Sequence, residues 1–218
     1  MDQVREKPWL AHYDPGVPPE IQVPDIPLWR FLEESARRFP QNVALEFLGQ
    51  TLSYQELWGL ARRFAQGLKD LGVRPGDRVA IMLPNSPQFV IAFYGTLLAG
   101  GVGVNVNPLY TPRELRHQLA DAGAETLVIL DHLLPRYLEV EKEVPVKRVV
   151  VTGIKDFLPF PKNLLYPLKA KRDGLPLGFP KREGFHAFAE LLKRPPAEPH
   201  VPDPEDLALL QYTGGTTG

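Results

Sequence analysis

The sequence lacks the residues that several common enzyme chemistries need. It has 218 residues, no cysteine and only three serines. Without cysteine, a disulfide framework and a thiol nucleophile are both excluded. No serine lies in a Gly-x-Ser-x-Gly elbow, which disfavours a serine hydrolase. A Gly-x-x-x-x-Gly-Lys-Ser/Thr motif is missing too, so the sequence does not support a Walker-type nucleotide site.

The sequence also has no large excess of positive or negative charge and no long apolar run. The formal net charge is −1, whereas nucleic-acid-binding domains normally carry a basic footprint, so we expect no nucleic acid partner. No run approaches the ~18 uninterrupted apolar residues of a membrane span, and the first residues lack the layout of a signal peptide. The five histidines show no metal-ligand spacing. These features predict a soluble, cytoplasmic protein.

Proline is abundant and unevenly placed. The 24 prolines are about twice the average share of ~5%, and they concentrate in the first 27 residues and between Pro159 and Pro204. These regions are therefore expected to be extended or irregular. The predicted parts are an extended arm over 1–26 pinned by Trp9 and Tyr13, an α/β subdomain over 27–153, a proline-rich basic and apolar insertion with a connecting helix over 154–204, and a buried strand with a truncated phosphate-binding loop over 205–218.

The region between residues 27 and 153 alternates between helix and strand periodicity. Leu57 to Leu71 follow the 3.6-residue spacing of an amphipathic helix, and Ser53 with Glu56 forms a capping box before it. Further helices are expected at 28–39, 86–99 and 111–123, a hairpin at 43–53, and strands at 78–83, 102–106, 126–130 and 148–151. Short strands separated by crossover helices pair in parallel. The predicted fold class is α/β, a mostly parallel β-sheet flanked by helices.

Two other segments are expected to be structural. Gly100-Gly101-Val102-Gly103 lies between a helix and the following strand, which is the reverse of the order in a Rossmann fingerprint. Asn105 and Asn107 are expected to belong to a tight turn before Pro108.

The end of the chain is its most informative segment. The apolar run from Leu207 to Tyr212 lacks polar alternation, which predicts a strand buried on both faces of a parallel sheet. Ligands bind at the carboxyl ends of strands in open α/β sheets. The next residues are Thr213, Gly214, Gly215, Thr216, Thr217 and Gly218. Glycines let backbone N–H groups converge on an anion, so this loop favours a polyphosphate, although a flexible Gly/Thr turn has the same composition.

The order Tyr-Thr-Gly-Gly-Thr-Thr-Gly, from Tyr212 to Gly218, resembles the signature loop of the acyl-adenylate-forming enzymes. Gly214 stands where serine is usual, a variant familiar among long-chain fatty acyl-CoA synthetases. Other segments are similar to the family's amino-terminal domain in order and spacing. These are Gly76–Ile81, Leu83–Ser86, Ala99–Gly101 and Asn107–Thr111, and Lys7–Leu10 resembles the start of bacterial long-chain acyl-CoA ligases.

This resemblance implies that the chain is the amino-terminal part of a fatty acid–CoA ligase that uses ATP, Mg²⁺ and coenzyme A. It implies that Tyr212 anchors the loop, and that the ATP phosphates are bound by Thr213, Gly214, Gly215, Thr216, Thr217 and Gly218. The family's catalytic, metal-binding and acyl-binding residues lie downstream of this loop. No catalytic or metal-binding residue is therefore assigned here, and the chain alone is expected to be inactive.

Two alternatives stay open. The loop is shared across the superfamily, so the substrate could be an aryl or amino acid instead of a fatty acid. The chain could also be a non-catalytic binding or dimerisation module, with a homodimer formed through its amino-terminal domain. Residues 154–184 interleave apolar and basic side chains, which would suit a weak peripheral membrane contact. Their prolines favour an insertion that packs its apolar side on the domain, because proline prevents a long amphipathic helix.

Overall fold

A six-stranded parallel sheet with helices on both faces forms the body of the molecule. The computed structural model describes residues 7–213. The strands are β1 Val43–Phe47, β2 Gln50–Ser53, β3 Arg78–Met82, β4 Val102–Asn105, β5 Thr126–Leu130, β6 Arg148–Thr152, β7 Phe185–Ala187 and β8 Leu209–Gln211. The helices are α1 Trp29–Arg38, α2 Tyr54–Asp70, α3 Pro87–Ala99, α4 Pro112–Ala122, α5 Leu134–Val140, α6 Lys162–Arg172 and α7 Phe188–Leu191.

The strand order is β7-β6-β5-β3-β4-β8, and every pairing in this sheet is parallel. The chain moves one way across the sheet from β3 to β4 and the opposite way from β4 to β5. Because such crossovers are right-handed, α3 and α4 lie on opposite faces. The helix α2 packs against α1, α3 and α7, and α4 packs against α5. The predicted α/β fold class is confirmed.

Helix ends are set by the residues that the sequence indicates. At α2, the Ser53 hydroxyl accepts from the Glu56 amide, and the Glu56 carboxylate accepts from the Ser53 amide at 2.8 Å. The hydrogen bonds that the Glu56 carboxylate accepts from the Ser53 amide and the Ser53 hydroxyl stabilise its charged form and lower the pKa of Glu56. At α3, the Ser86 side chain accepts from the Phe89 amide, and Gly100 ends the helix with a φ of 87°. The predicted capping box of Ser53 and Glu56 is confirmed.

The last strand is less buried than its sequence predicts. Leu207 is 61% exposed, Leu209 and Leu210 are half-buried, and Gln211 is exposed. The prediction of a strand buried on both faces is therefore wrong. The reason is position, because β8 lies at the edge of the sheet with only β4 beside it among residues 7–213.

The amino-terminal arm is not pinned by its aromatic residues. Trp9 is 53% exposed and Tyr13 is 42% exposed, and the 3₁₀ helix Pro8–His12 around Trp9 buries no residue. Prolines and charged residues interrupt the arm too often for a continuous apolar face to form. Its ion pair instead links two of its own residues, Lys7 Nζ and Glu20 Oε1, at 2.9 Å.

Residues 154–184 also differ from expectation. The helix α6 forms with Pro167 inside it, and of its residues only Ala170 is buried. The expectation that this segment packs its apolar side on the domain is therefore wrong for α6. Further along, β7 pairs with β6, so the segment predicted as an insertion contributes the edge strand of the main sheet.

Close packing between α2 and α7 generates a prediction at Gly67. A Cβ added there would meet the Leu191 side chain at 2.5 Å and its Cα at 2.9 Å. We expect Gly67→Ala to lower the free energy of unfolding by about 1–2 kcal/mol, because strain from overpacking exceeds the gain in helix propensity. Urea unfolding followed by circular dichroism measures this change.

Gly59 provides the matched control on the same helix. A Cβ added at Gly59 would meet no atom within 4 Å. Gly59→Ala should therefore raise the free energy of unfolding by about 0.5–1 kcal/mol through helix propensity alone. A Gly67→Ala variant as stable as Gly59→Ala would contradict the packing described for α2 and α7.

Candidate functional site

The end of β8 lies at the carboxyl edge of the sheet. This strand pairs in parallel with β4, with Gln211 beside Asn105. Tyr212 and Thr213 therefore leave the sheet next to the end of β4, at the edge where open α/β sheets bind ligands. Thr213 is exposed. The remaining residues predicted to bind phosphate lie outside the described residues, namely Gly214, Gly215, Thr216, Thr217 and Gly218.

Tyr212 is attached to α4. Its phenol donates a hydrogen bond to Oδ2 of Asp121. Partial burial, together with the hydrogen bond and negative charge of Asp121, raises the pKa of Tyr212 to about 12. The phenol therefore keeps its proton at neutral pH and remains a donor to Asp121. This contact gives Tyr212 the anchoring position that the sequence predicts.

Side-chain amides link β4, β8 and α4 next to this anchor. Asn105 donates from Nδ2 to Oε1 of Gln211 at 2.9 Å, and Gln118 donates from Nε2 to the backbone oxygen of Asn105 at 2.7 Å. The prediction of a turn role is therefore wrong for the Asn105 side chain, which bridges two strands. It is confirmed for Asn107, whose side chain accepts from the Leu109 amide at 2.9 Å.

Two oxygens of this network lack a hydrogen-bond partner among residues 7–213. They are Oδ1 of Asn105 and Oε1 of Gln118, and both atoms are buried. An unsatisfied buried acceptor costs about 1–3 kcal/mol. A donor from water or from a neighbouring segment at this edge would remove that cost.

The loop before α4 is held in place from α5. Arg136 donates from Nη1 to the backbone oxygens of Pro108 at 2.6 Å and Tyr110 at 3.0 Å. The helix α4 then begins with a second capping box, in which the Thr111 amide donates to the Glu114 carboxylate at 2.8 Å. This hydrogen bond and that from the Thr111 hydroxyl lower the pKa of Glu114. The start of α4 is thereby held both by Arg136 of α5 and by its own capping box.

A surface cleft of about 610 Å³ opens between α4 and Tyr212. Its lining includes the basic side chains Arg113, Arg116 and His117 and the acidic side chain Glu114, whose carboxylate caps the start of α4. Arg116 forms an ion pair with Glu143, whereas no acidic side chain in the described part of the chain pairs with Arg113. Basic side chains near the positive end of a helix dipole favour an anionic ligand.

A second cleft, of about 560 Å³, lies at the amino edge of the sheet. Trp29 and His200 both line this cleft. The indole Nε1 of Trp29 donates a hydrogen bond to the backbone oxygen of His200 at 3.0 Å. A Cβ added at Gly100 would come within 2.8 Å of the His200 ring. Close packing at the end of α3 therefore explains why position 100 is a glycine. The cleft at the carboxyl edge is the candidate site, because Tyr212 lines it and Thr213 follows.

The described part of the chain has neither a cluster of metal ligands nor a helix that could cross a membrane. Between residues 7 and 213, no group of three or more His, Asp or Glu side chains is placed to hold a metal ion. No described helix combines the length and apolar character that crossing a bilayer requires.

Comparison with known proteins identifies the class of the chain. The sequence model of the AMP-binding enzymes matches residues 32–218. A long-chain-fatty-acid–CoA ligase of Bacillus subtilis strain 168 is 43% identical over 217 residues, which cover 98% of this chain and 39% of that ligase. A ligase of the same name from Escherichia coli O157:H7 is 38% identical, with the same coverage of each chain. The chain belongs to the AMP-binding enzyme family.

Solved structures agree with this assignment. A long-chain-fatty-acid-CoA ligase from Archaeoglobus fulgidus has a TM-score of 0.72 and 26% identity, covering 92% of this chain and 37% of that one. An anthranilate CoA ligase in complex with anthranoyl-AMP has a TM-score of 0.73 and 24% identity, covering 90% and 34%. The predicted resemblance to the acyl-adenylate-forming enzymes is confirmed. The chain spans about two fifths of the length of its bacterial relatives.

The contact between Tyr212 and Asp121 generates a prediction about tyrosine ionisation. We expect Asp121→Ala to lower the pKa of Tyr212 towards its usual value near 10, because the variant removes both the acceptor and the charge that retain the proton. Titration of tyrosinate absorbance through the alkaline range should then show one more tyrosine ionising below about pH 11.

The control for this titration is Tyr212→Phe in the Asp121→Ala background, which should abolish the additional ionisation. Identical titration curves for the native chain and for Asp121→Ala would contradict the described contact.

Proposed function

We propose that this chain is the amino-terminal part of an ATP-dependent long-chain fatty acid–CoA ligase. The names of the bacterial relatives that match 98% of the chain support this substrate class. The observation that carries the proposal is the exit of β8 at the carboxyl edge, where Thr213 follows Tyr212 beside the cleft that Arg113 lines. The proposed overall reaction converts a fatty acid, ATP and coenzyme A to acyl-CoA, AMP and diphosphate.

In the proposed first step, a carboxylate oxygen of the fatty acid attacks the α-phosphorus of ATP. An acyl-adenylate forms and diphosphate leaves. In the second step, the coenzyme A thiolate attacks the acyl carbonyl carbon and AMP leaves. The first step forms a bond between the carboxylate oxygen and the α-phosphorus and breaks the bond from that phosphorus to the oxygen that leaves with diphosphate. The second step forms a carbon–sulfur bond and breaks the bond between the acyl carbon and the oxygen that leaves with AMP, so no oxidant or reductant is needed.

The proposed role of this chain in that reaction is to position and partly neutralise the β- and γ-phosphates. The proposed donors are the hydroxyls of Thr213, Thr216 and Thr217 and the amides of Gly214, Gly215 and Gly218. A hydrogen bond to a charged group contributes about 1.5–3 kcal/mol. Mg²⁺ would share the phosphate charge, but the described residues offer no ligand cluster that fits it, so no residue of this chain is proposed to hold it.

The division into an arm over 1–26, a subdomain over 27–153, an insertion over 154–204 and a strand with a loop over 205–218 is also proposed. The arm's exposed aromatic residues and its internal ion pair support its separation from the body. We also propose a cytoplasmic location, because the proposed substrates ATP and coenzyme A are cytoplasmic metabolites.

An aryl acid is the second candidate substrate. A 4-coumarate-CoA ligase from Narcissus pseudonarcissus is 32% identical over 205 residues, covering 92% of this chain and 33% of that enzyme. An amino acid would be activated by the same chemistry. The choice between these acids depends on the residues that surround the acyl group, for which the described residues offer no candidate pocket.

The test is carboxylate-dependent exchange of labelled diphosphate into ATP by the complete protein that carries residues 1–218. We expect hexadecanoate to support exchange and 4-coumarate not to. Thr213→Ala should lower kcat/KM for ATP about 10- to 100-fold, because one hydrogen bond to a charged group is lost. Thr213→Ser retains the hydroxyl and should keep most of the activity. Exchange with 4-coumarate alone would establish the second candidate, and exchange with no carboxylate would contradict adenylation.

The 218-residue chain by itself is proposed to be inactive and to bind ATP poorly. The resemblance implies that the family's catalytic, metal-binding and acyl-binding residues lie outside residues 1–218, so the isolated chain would supply only part of the contacts to ATP. Titration calorimetry of the isolated chain with ATP should therefore show no binding tighter than millimolar. Micromolar affinity would contradict this part of the proposal.

A homodimer formed through the arm is the remaining proposal. Ile21 and Val23 are among the most exposed apolar residues of the described chain, and a partner that covered them would bury apolar surface. Light scattering should find a dimer in the chain and a monomer after deletion of residues 1–26. A monomer in both samples would exclude dimerisation through the arm.

A further inference from the structure

The helix α6 presents apolar side chains to solvent. Phe160, just before the helix, is 79% exposed, and Leu164, Leu165 and Leu168 are 65%, 57% and 68% exposed. The three leucines share one helical face because they are spaced by one, three and four residues. Ala170 faces the body of the protein and is buried. Large apolar side chains concentrated on one face mark an interaction surface more often than isolated ones do.

Basic side chains accompany this apolar face. Lys169, Lys171 and Arg172 occupy the last turn of α6, and all three are exposed. We name these three residues, together with Phe160, Leu164, Leu165 and Leu168, the α6 patch. Between Lys155 and Arg182 the sequence has seven basic and only two acidic residues. The segment that carries the patch is therefore strongly positive, although the whole chain has a net charge of −1.

Of the two acidic residues of this segment, only Asp173 pairs with a basic residue of the patch. Asp156 accepts hydrogen bonds from the Gly153 amide at 2.8 Å and from the Thr152 hydroxyl at 3.0 Å, which commits it to the turn before α6. Asp173 pairs with Arg172 at 3.3 Å, and both side chains remain accessible to solvent. Lys169 and Lys171 form no ion pair with the described residues.

A hydrogen bond links the start of α6 to the β1–β2 hairpin. Lys162 donates from Nζ to the backbone oxygen of Leu48 at 2.8 Å, which joins the start of α6 to the turn of the β1–β2 hairpin. Leu48 is itself exposed, so the hairpin adds an apolar side chain beside the helix. The patch is consequently a surface held in place by tertiary contacts.

The charge of the patch decides between possible occupants. A second copy of the chain, docked patch to patch across a twofold axis, would place two sets of lysines and arginine against each other, and like charges oppose such a contact. An anionic bilayer supplies both complements at once. Its surface attracts the basic side chains, and its headgroup–acyl boundary accepts leucine and phenylalanine.

We propose that the α6 patch docks this protein on the surface of an anionic lipid bilayer. The leucines and Phe160 enter the boundary between headgroups and acyl chains, while Lys169, Lys171 and Arg172 contact lipid phosphates. The helix lies on the membrane and does not span it. The proposal rests on the exposed side chains of α6 and not on the proposed ligase activity, so either can fail without the other.

The test is sedimentation of the 218-residue chain with vesicles of phosphatidylcholine alone or mixed with phosphatidylglycerol. Each basic residue near an anionic surface contributes roughly fivefold to binding. Lys169→Glu, Lys171→Glu and Arg172→Glu combined should therefore reduce binding to the mixed vesicles more than 100-fold. Leu164→Ser, Leu165→Ser and Leu168→Ser combined should reduce it at least tenfold and leave a weaker, salt-sensitive association.

Matched controls use basic and apolar side chains elsewhere on the surface. Arg37→Glu, Arg63→Glu and Lys142→Glu combined change the net charge by the same amount at exposed positions on α1, on α2 and in the turn after α5. Val201→Ser removes an apolar side chain that is 70% exposed. Both controls should retain most of the vesicle binding, and circular dichroism should show that every variant is folded.

Three outcomes would overturn the proposal. The native chain could bind both kinds of vesicle equally or not at all. The dispersed charge variant could lose as much binding as the patch variant, which would indicate non-specific attraction. Light scattering could reveal a dimer that only the patch substitutions dissociate, which would make a second copy the occupant.

Discussion

The parallel pairing of β8 with β4 is the constraint on which the candidate site depends. It brings the last strand to the edge of the sheet, with its end level with that of β4. The orientation of this strand determines whether Thr213 emerges at the carboxyl or the amino edge. A phosphate-binding role requires the carboxyl edge, where the start of α4 and its basic side chains also lie.

The helix α4 supports that edge through several independent contacts. Asp121 holds the phenol of Tyr212, and Gln118 holds the backbone at the end of β4. The capping box of Thr111 and Glu114 and the hydrogen bonds from Arg136 fix the start of the helix. These contacts fix the position of Tyr212, and with it the point at which the chain leaves the sheet.

The sequence predicts most of the body because its signals there are local. Ser53 with Glu56 and Thr111 with Glu114 mark helix starts over a few residues, and the structure has both capping boxes. The apolar strands between residues 78 and 151 carry their own periodicity. Local patterns of this kind are sufficient for the fold class and for the order of its elements.

Features that depend on distant neighbours could not be predicted in this way. The burial of Leu209 and Leu210 depends on whether a strand lies beyond β8, which the apolar run does not encode. Asn105 hydrogen-bonds to Gln211, which is 106 residues later in the chain. Asp121 lies on the polar face of α4, and no sequence motif marks it as a partner of Tyr212. Their contact depends on the fold, because the two residues are 91 positions apart.

The same limit applies to α6. Its prolines favoured an irregular segment, but the helix continues through Pro167 at the loss of one amide donor. No helical face was predicted for its leucines, and the sequence does not show whether they meet the protein or solvent.

The most direct test of the site is a crystal structure of the complete protein with a non-hydrolysable ATP analogue. The account predicts that the triphosphate lies at the carboxyl edge of the sheet, with the Thr213 hydroxyl within hydrogen-bond distance of a phosphate oxygen and Tyr212 still bound to Asp121. A triphosphate found in the amino-edge cleft beside Trp29 and His200, or remote from β8, would contradict it.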